Sequence, residues 1–296
     1  MAPVTSTITC SWPRRHRAAR PDGGESRRSI GALEGARTIG TTASTNTGRT
    51  ASIAWPVALS FIGAPLALAG NSLSAGVALL GGSSHPWDVA AAWAPFWGSL
   101  SVYPILALLL IWRSRQEGFG LGELLAFRRS KLGIDLGLGL AISIGIALFA
   151  AITAVVVSEV SPEVGESLLR HANDSLALPV AAWFIAWSVL VTPLAAALVE
   201  ELTYRGYALT RLMAGRLTPA LAIWLTSLGF GLQHAAFPFI DSSISIYRCL
   251  AIFAIGCGLG WIYLKVGRLL PLLVGHYLWG AMPAAFAVGI LISQSR

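Results

Sequence analysis

Glu200 and Glu201 stand side by side at the end of a long apolar stretch, for residues 175–199 carry no charge. Two adjacent carboxylates there are costly. One ionised side chain near a bilayer centre costs at least about 2.5 kcal/mol on the most lenient insertion scale, so such groups point to a function. Arg205 follows Glu201 by four residues, the helical spacing that stacks an acid on a base. That pairing leaves Glu200 without a counter-charge. His234 and His276 lie within later apolar runs, and a carboxylate with an imidazole is a usual pair for general acid–base chemistry. These residue types describe a buried acid–imidazole site in a membrane protein.

The elements that must position them follow from composition. The chain has 296 residues, of which 55% are hydrophobic and 12% charged, with a mean hydropathy of +0.67. This excludes an ordinary soluble globular domain. Apolar runs of about 20 residues, enough to cross a bilayer, fall at 51–80, 89–112, 136–157, 176–199, 217–240, 248–264 and 269–292. The expected fold is all-α, a polytopic membrane protein of about seven transmembrane helices.

Charge is distributed unevenly along the chain. Residues 1–52 hold eight Arg against Asp22, Glu25 and Glu34, so +5 of the net +7 lies there. This Ser-, Thr-, Gly- and Arg-rich stretch has no apolar face and is expected to be a disordered basic tail, followed by a membrane helical domain over 53–293. The 113–135 loop carries Arg113, Arg115, Arg128, Arg129 and Lys131; Arg205, Arg211 and Arg216 follow the fourth run, and Lys265 and Arg268 precede the last. The alternate loops are poor in base: 81–88 has none, and 158–175 sets Arg170 against Glu159, Glu163, Glu166 and Asp174. Lys/Arg-rich loops stay cytoplasmic. The expectation is a multi-pass protein of the plasma membrane with its N-terminus cytoplasmic. Leu121, Leu124, Leu125 and Leu132 lie among the bases of the 113–135 loop, a pattern that suits a short helix in the interface. Gly256 and Gly260 form a GxxxG pair suited to close helix packing.

Other chemistries lack their signatures. Cys249 and Cys257, eight residues apart in one run, share a helix face but stand too far apart to bridge. No zinc-type Cys/His spacing and no His-Glu-x-x-His occurs. No Walker-type or dinucleotide loop and no basic–aromatic surface for nucleic acid is present.

For Glu200 to meet His234, the chain between them must fold back. A helix from Glu200 to about Met213, a turn at 215–219 and a returning helix give nearly equal arms, each rising about 20 Å. The fourth helix then continues past Val199, bent at Thr192-Pro193. Phe230 and His234 are spaced i, i+4, so the ring packs beside the imidazole. His276 lies eight residues past Arg268 and enters the membrane by about 12 Å. Glu200 with His234 is a pair able to activate water, and His276 a donor to a developing oxyanion.

Glu200-Glu201-x-x-x-Arg205 followed by Gly206-Tyr207, then Phe230-x-x-x-His234, then His276 near the start of the last run, resembles the CPBP family. These are the CAAX-processing (type II CAAX prenyl protease-like) and bacteriocin-processing intramembrane endopeptidases, or Abi proteins. The resemblance covers about residues 120–285. It implies that Glu200 and His234 activate water for peptide-bond hydrolysis, that His276 serves the oxyanion, and that Glu201, Arg205 and Phe230 support them. Gly280 departs from the pattern, standing four residues after His276 where the family usually has Asn or Asp. Glycine has no side-chain donor, and loss of one such donor typically costs about 3–4 kcal/mol of transition-state stabilisation. Gln233 and Tyr277 are candidate substitutes.

The leading expectation is therefore a metal-independent glutamate-type endopeptidase needing no cofactor, with a peptide or membrane-protein segment as substrate and the lipid bilayer as its setting. Three alternatives stay open: zinc bound by His234, His276 and a Glu; a non-catalytic scaffold or immunity factor of the same fold; and a transporter with a carboxylate proton relay. Neither substrate identity nor oligomeric state is legible.

Overall fold

The structure is a computed structural model that describes residues 52–177, 182–235 and 242–294. The expected basic tail falls outside the described residues, apart from Ser52. Long apolar segments withheld from water must satisfy their backbone internally, and the described chain does so as helices alone. In order these are α1 (Ala54–Phe61), α2 (Gly63–Leu80), α3 (Pro86–Gln116), the short α4 (Leu121–Leu125), α5 (Leu132–Val160), α6 (Pro162–Ala177), α7 (residues 182–214), α8 (Pro219–Ala235), α9 (Ser242–Val266) and α10 (Leu270–Gln294).

α7 is one continuous helix with two widened segments. Trp187–Val191 and Glu201–Leu209 are π-helical, between α-helical Ala182–Ala186, Thr192–Glu200 and Thr210–Ala214. The first widened segment directly precedes Thr192-Pro193, so the expected bend has a physical form. Proline cannot donate a ladder bond, and the Thr192 amide reaches back five residues to the Trp187 carbonyl. The second begins at Glu201, and π segments concentrate at functional positions.

The helices pack as pairs around α7. α2 lies on α3, α5 on α10 and α8 on α9, while α7 touches α1, α3, α4, α8, α9 and α10. Every residue from Glu201 to Leu209 is buried. The expected glycine packing is present: a Cβ at Gly256 would stand 3.0 Å from the Ser227 Cβ, and one at Gly260 would stand 3.3 Å from Ile223. Closer still, a Cβ at Gly229 would collide with the Ser60 carbonyl oxygen, so α1 and α8 meet backbone to backbone.

Two expectations are met only in part. Of the expected seven crossings, four segments among the described residues are long and apolar enough to cross a membrane by length and composition, Ala54–Leu80, Phe96–Gln116, Leu121–Val160 and Ser242–Val266. The described parts of all seven apolar runs are mostly helical. However, α8 has 17 residues, a rise of about 25 Å against a hydrocarbon core of about 30 Å, and α7 carries Glu200, Glu201, Arg205 and Arg211 in its second half. The other concerns the 113–135 loop. Its helix is only Leu121–Leu125, and Leu124 is buried over Gly206 rather than turned towards lipid. Leu121 and Leu125 join the same protein core. These three leucines pack against α7 and its neighbours, while Leu132 is exposed together with Arg128, Arg129 and Lys131.

The basic loops gather at one end of the bundle. Glu117 receives Arg113 at 3.0 Å and Arg211 at 2.7 Å and accepts the Tyr207 hydroxyl at 2.7 Å, tying α3 to α7. Arg268 grips buried Asp135 through Nε at 3.0 Å and Nη2 at 2.6 Å, tying α10 to α5. Towards the start of α7, Trp183, Phe184 and Trp187 pack on Trp93 and Phe96 of α3.

Candidate active site

The fold-back expected between residues 200 and 234 is present: α7 runs to Ala214, turns, and α8 returns from Pro219 to Ala235. Glu200 lies roughly 16 Å along α7 from Arg211, and His276 roughly 12 Å along α10 from Arg268.

Glu201 is the hub of an ion cluster. Its Oε1 accepts from Arg205 Nη1 at 2.9 Å, across one helical turn, and lies 2.9 Å from His276 Nδ1. Glu200 and Glu201 are fully buried and Arg205 is 2% exposed. Arg205 also donates from Nη2 to the Gly256 carbonyl at 3.3 Å, and its guanidinium sits 4.6 Å from the centroid of Phe230. A charge so enclosed persists only when paired and hydrogen-bonded, and this one is both.

Glu200 is held differently. Its Oε1 accepts from Gln233 Nε2, while Oε2 is buried without a hydrogen-bond partner, 3.4 Å from His276 Nε2. Tyr103 of α3 is a further neighbour of this carboxylate. The two imidazole nitrogens of His276 therefore face the two carboxylates, and only the doubly protonated ring could donate to both. In that state Glu200, Glu201, Arg205 and His276 sum to zero charge.

His234 does not touch Glu200. Its Nδ1 lies 2.9 Å from the Phe230 carbonyl one turn back. A carbonyl only accepts, so Nδ1 carries the proton and Nε2 of the neutral ring is left as an acceptor. The ring packs edgewise on Phe230 at 4.8 Å between centroids, and Phe230 also meets His276 at 5.9 Å. One aromatic ring thus orients both imidazoles.

The structure gathers Glu200, Glu201, Arg205, Phe230 and His276 into direct contact and brings His234 beside them through Gln233 and Phe230. Gly280 packs on α7 itself, where its Cβ would stand 3.3 Å from the Pro193 Cβ. Gln233, considered from sequence as an oxyanion donor, is committed to Glu200 instead. Sequence reasoning missed Tyr103 and Tyr204. Tyr204 lies inside the first motif and its hydroxyl donates to Gln233 Oε1 at 2.8 Å. The polar Gln233 beside His234 in an apolar run was the available signal; for Tyr103 no spacing relates α3 to α7. Among the described residues, no group of three or more His, Cys, Asp or Glu side chains is arranged to hold a metal ion.

Comparison with known proteins finds a match over the same part of the chain. Residues 181–282 match the family model described as Type II CAAX prenyl endopeptidase Rce1-like. That segment runs from the start of α7 to the middle of α10 and contains all of the motif residues. Neither the curated proteins nor the solved structures provide a match. The matched segment lies within a chain of membrane-length apolar helices, and it holds the buried Glu-Glu-Arg cluster with both histidines. The chain accordingly carries, over residues 181–282, a domain of the Rce1-like type II CAAX prenyl endopeptidases, a family of membrane proteases.

Proposed function

We propose that the chain is an intramembrane endopeptidase that cleaves a peptide or membrane-protein segment with water activated by Glu200. The observation that carries this is the asymmetry of the Glu200 carboxylate: Oε1 is held by Gln233 and Oε2 is buried with no hydrogen-bond partner. Membership of the 181–282 segment in a protease family supports it.

In this reading a water lies between Glu200 Oε2 and His234 Nε2. Glu200 takes its proton as the water oxygen bonds to the scissile carbonyl carbon, and the carbonyl electrons move to oxygen. His276, carrying both ring protons, donates from Nε2 to that oxyanion while Glu201 accepts from Nδ1. The tetrahedral intermediate collapses, the C–N bond breaks, and the proton held at the Glu200–His234 pair passes to the departing amine. Glu201 and Arg205 keep His276 in place, and the cluster stays neutral overall. This reading uses no cofactor; a zinc ion held by His234, His276 and one of the glutamates is the alternative chemistry. Water and product use the basic end, which the charge bias assigns to the cytoplasm together with the N-terminus of a plasma-membrane protein. α7, α8 and α10 complete seven crossings, and the protease core occupies about residues 120–285.

The test uses purified protein in proteoliposomes with two quenched fluorescent peptides, identical except for a farnesylated cysteine near one C-terminus. Wild type should cleave at least one and Glu200→Gln neither, and membrane proteomes of cells bearing each should differ in the same direction. Indistinguishable proteomes at equal protein levels would support a second reading, a non-catalytic scaffold. That reading is favoured by Gly280, which packs on Pro193 and offers no donor.

A further inference from the structure

We propose that Gln233, oriented by Tyr204, is a positioning residue that selects which oxygen of Glu200 acts as the base; the proposal rests on the reading of Glu200 as that base. A side-chain amide has one accepting and one donating end. Against a carboxylate it is useful in one of its two orientations, because the other sets oxygen against oxygen. The Tyr204 hydroxyl donates to Gln233 Oε1 at 2.8 Å, so Nε2 is the end that meets Glu200 Oε1. Tyr204 is fully buried and Gln233 is 5% exposed, so bulk water does not compete for either bond.

Three elements fix the amide. Tyr204 rises from α7, and its ring packs edgewise on Phe230 at 5.2 Å between centroids, the same ring that contacts both histidines. Gln233 comes from α8. The far wall is Gly63 at the start of α2, where any Cβ would collide with Gln233 Oε1. The amide can neither rotate away nor retreat.

The consequence falls on Glu200. With Oε1 held by Gln233, Oε2 is the oxygen left without a hydrogen-bond partner to meet water. Without the clamp Oε1 loses its hydrogen bond and the carboxylate is free to rotate, so that either oxygen can turn to His276 Nε2, which Oε2 now faces at 3.4 Å. A misplacement of about 1 Å in a reacting group can cost about 100-fold in rate. The loss belongs to kcat, because neither Gln233 nor Tyr204 need touch the peptide.

The experiment compares Tyr204→Phe, Gln233→Leu and their double variant with wild type and Glu200→Gln, on the two peptides above at matched protein levels. Phenylalanine keeps the ring on Phe230 and removes only the hydroxyl. We expect Tyr204→Phe to lower kcat about 10-fold and Gln233→Leu about 100-fold with KM unchanged. The double variant should be no slower than Gln233→Leu, since both act through one bond to Glu200. If Glu200→Gln is inactive and the two single variants cleave as wild type does, the positioning role is overturned while the base survives. If Glu200→Gln cleaves normally, the reading beneath the proposal fails and the proposal with it. A second measurement needs no substrate. The carboxylate infrared bands of Glu200, found by difference from Glu200→Gln with 13C-labelled glutamate, should shift in Tyr204→Phe. Unshifted bands in that variant and in Gln233→Leu would overturn the relay.

Discussion

Replacing each of the two adjacent glutamates by glutamine should separate chemistry from stability. Glu201 is fully buried and joined to Arg205 at 2.9 Å, and the guanidinium is 2% exposed. Removing one partner of such a pair costs about 3–5 kcal/mol, because the remaining charge stays buried and uncompensated. Arg205 keeps its bond to the Gly256 carbonyl and its place over Phe230, and the glutamine oxygen still accepts from it. The expected loss for Glu201→Gln is therefore at the low end, about 3 kcal/mol, a fall of several degrees in the melting midpoint. Glu200 has no cation of its own at hydrogen-bond distance other than His276 at 3.4 Å. Its replacement removes a buried charge and leaves the amide oxygen to accept from Gln233, so Glu200→Gln should melt at or above the wild-type temperature. Its peptide cleavage should be lost. The assay is fluorescence-detected melting in detergent beside proteoliposome cleavage, at equal purified amounts. Equal melting shifts for the two variants, or activity retained in Glu200→Gln, would refute the division of roles.

Purified protein should hold substoichiometric zinc and resist chelators; one tightly bound zinc per chain, lost and restored together with activity, would replace the glutamate mechanism with a metal one. Gly280→Asn should raise cleavage by up to about 100-fold if its amide supplies the missing donor, and Gly280→Ala, which brings the same Cβ to Pro193 without a donor, is its control; an Asn variant no faster than the Ala variant shows that the site is completed otherwise. Asp135→Asn should destabilise the protein by about 2–4 kcal/mol, since Asp135 is fully buried under Arg268 and the cation is left only partly solvated; an unchanged melting midpoint contradicts this. Gly229→Ala should prevent close contact of α1 with α8 and cost at least about 1–3 kcal/mol, measured by the yield of monodisperse protein, and near wild-type yield argues against that approach.

The sequence alone determined the helical class, the placement of the seven apolar runs and the pairing of Glu201 with Arg205. Each of these depends on local periodicity or on the cost of exposing backbone and charge to an apolar medium. The return of α8 beside α7 was also legible, because Gly215 to Pro219 interrupt two arms of equal length. Only the tertiary structure decided which partners each polar atom has. No spacing in the chain relates Tyr103, Gly63 or Gly256 to residue 200, yet all three adjoin the cluster. His234, the expected partner of Glu200, turns its Nδ1 to a carbonyl, and Gln233 beside it takes the carboxylate. Leu121, Leu124 and Leu125 of the 113–135 loop likewise pack on protein, because Gly206 opens a seat for Leu124, while Leu132 stays exposed. Periodicity says which face of a helix is apolar, but an apolar face meets lipid or another helix at the same cost. Packing between distant segments makes that choice, and with it decides which oxygen of Glu200 is left without a partner.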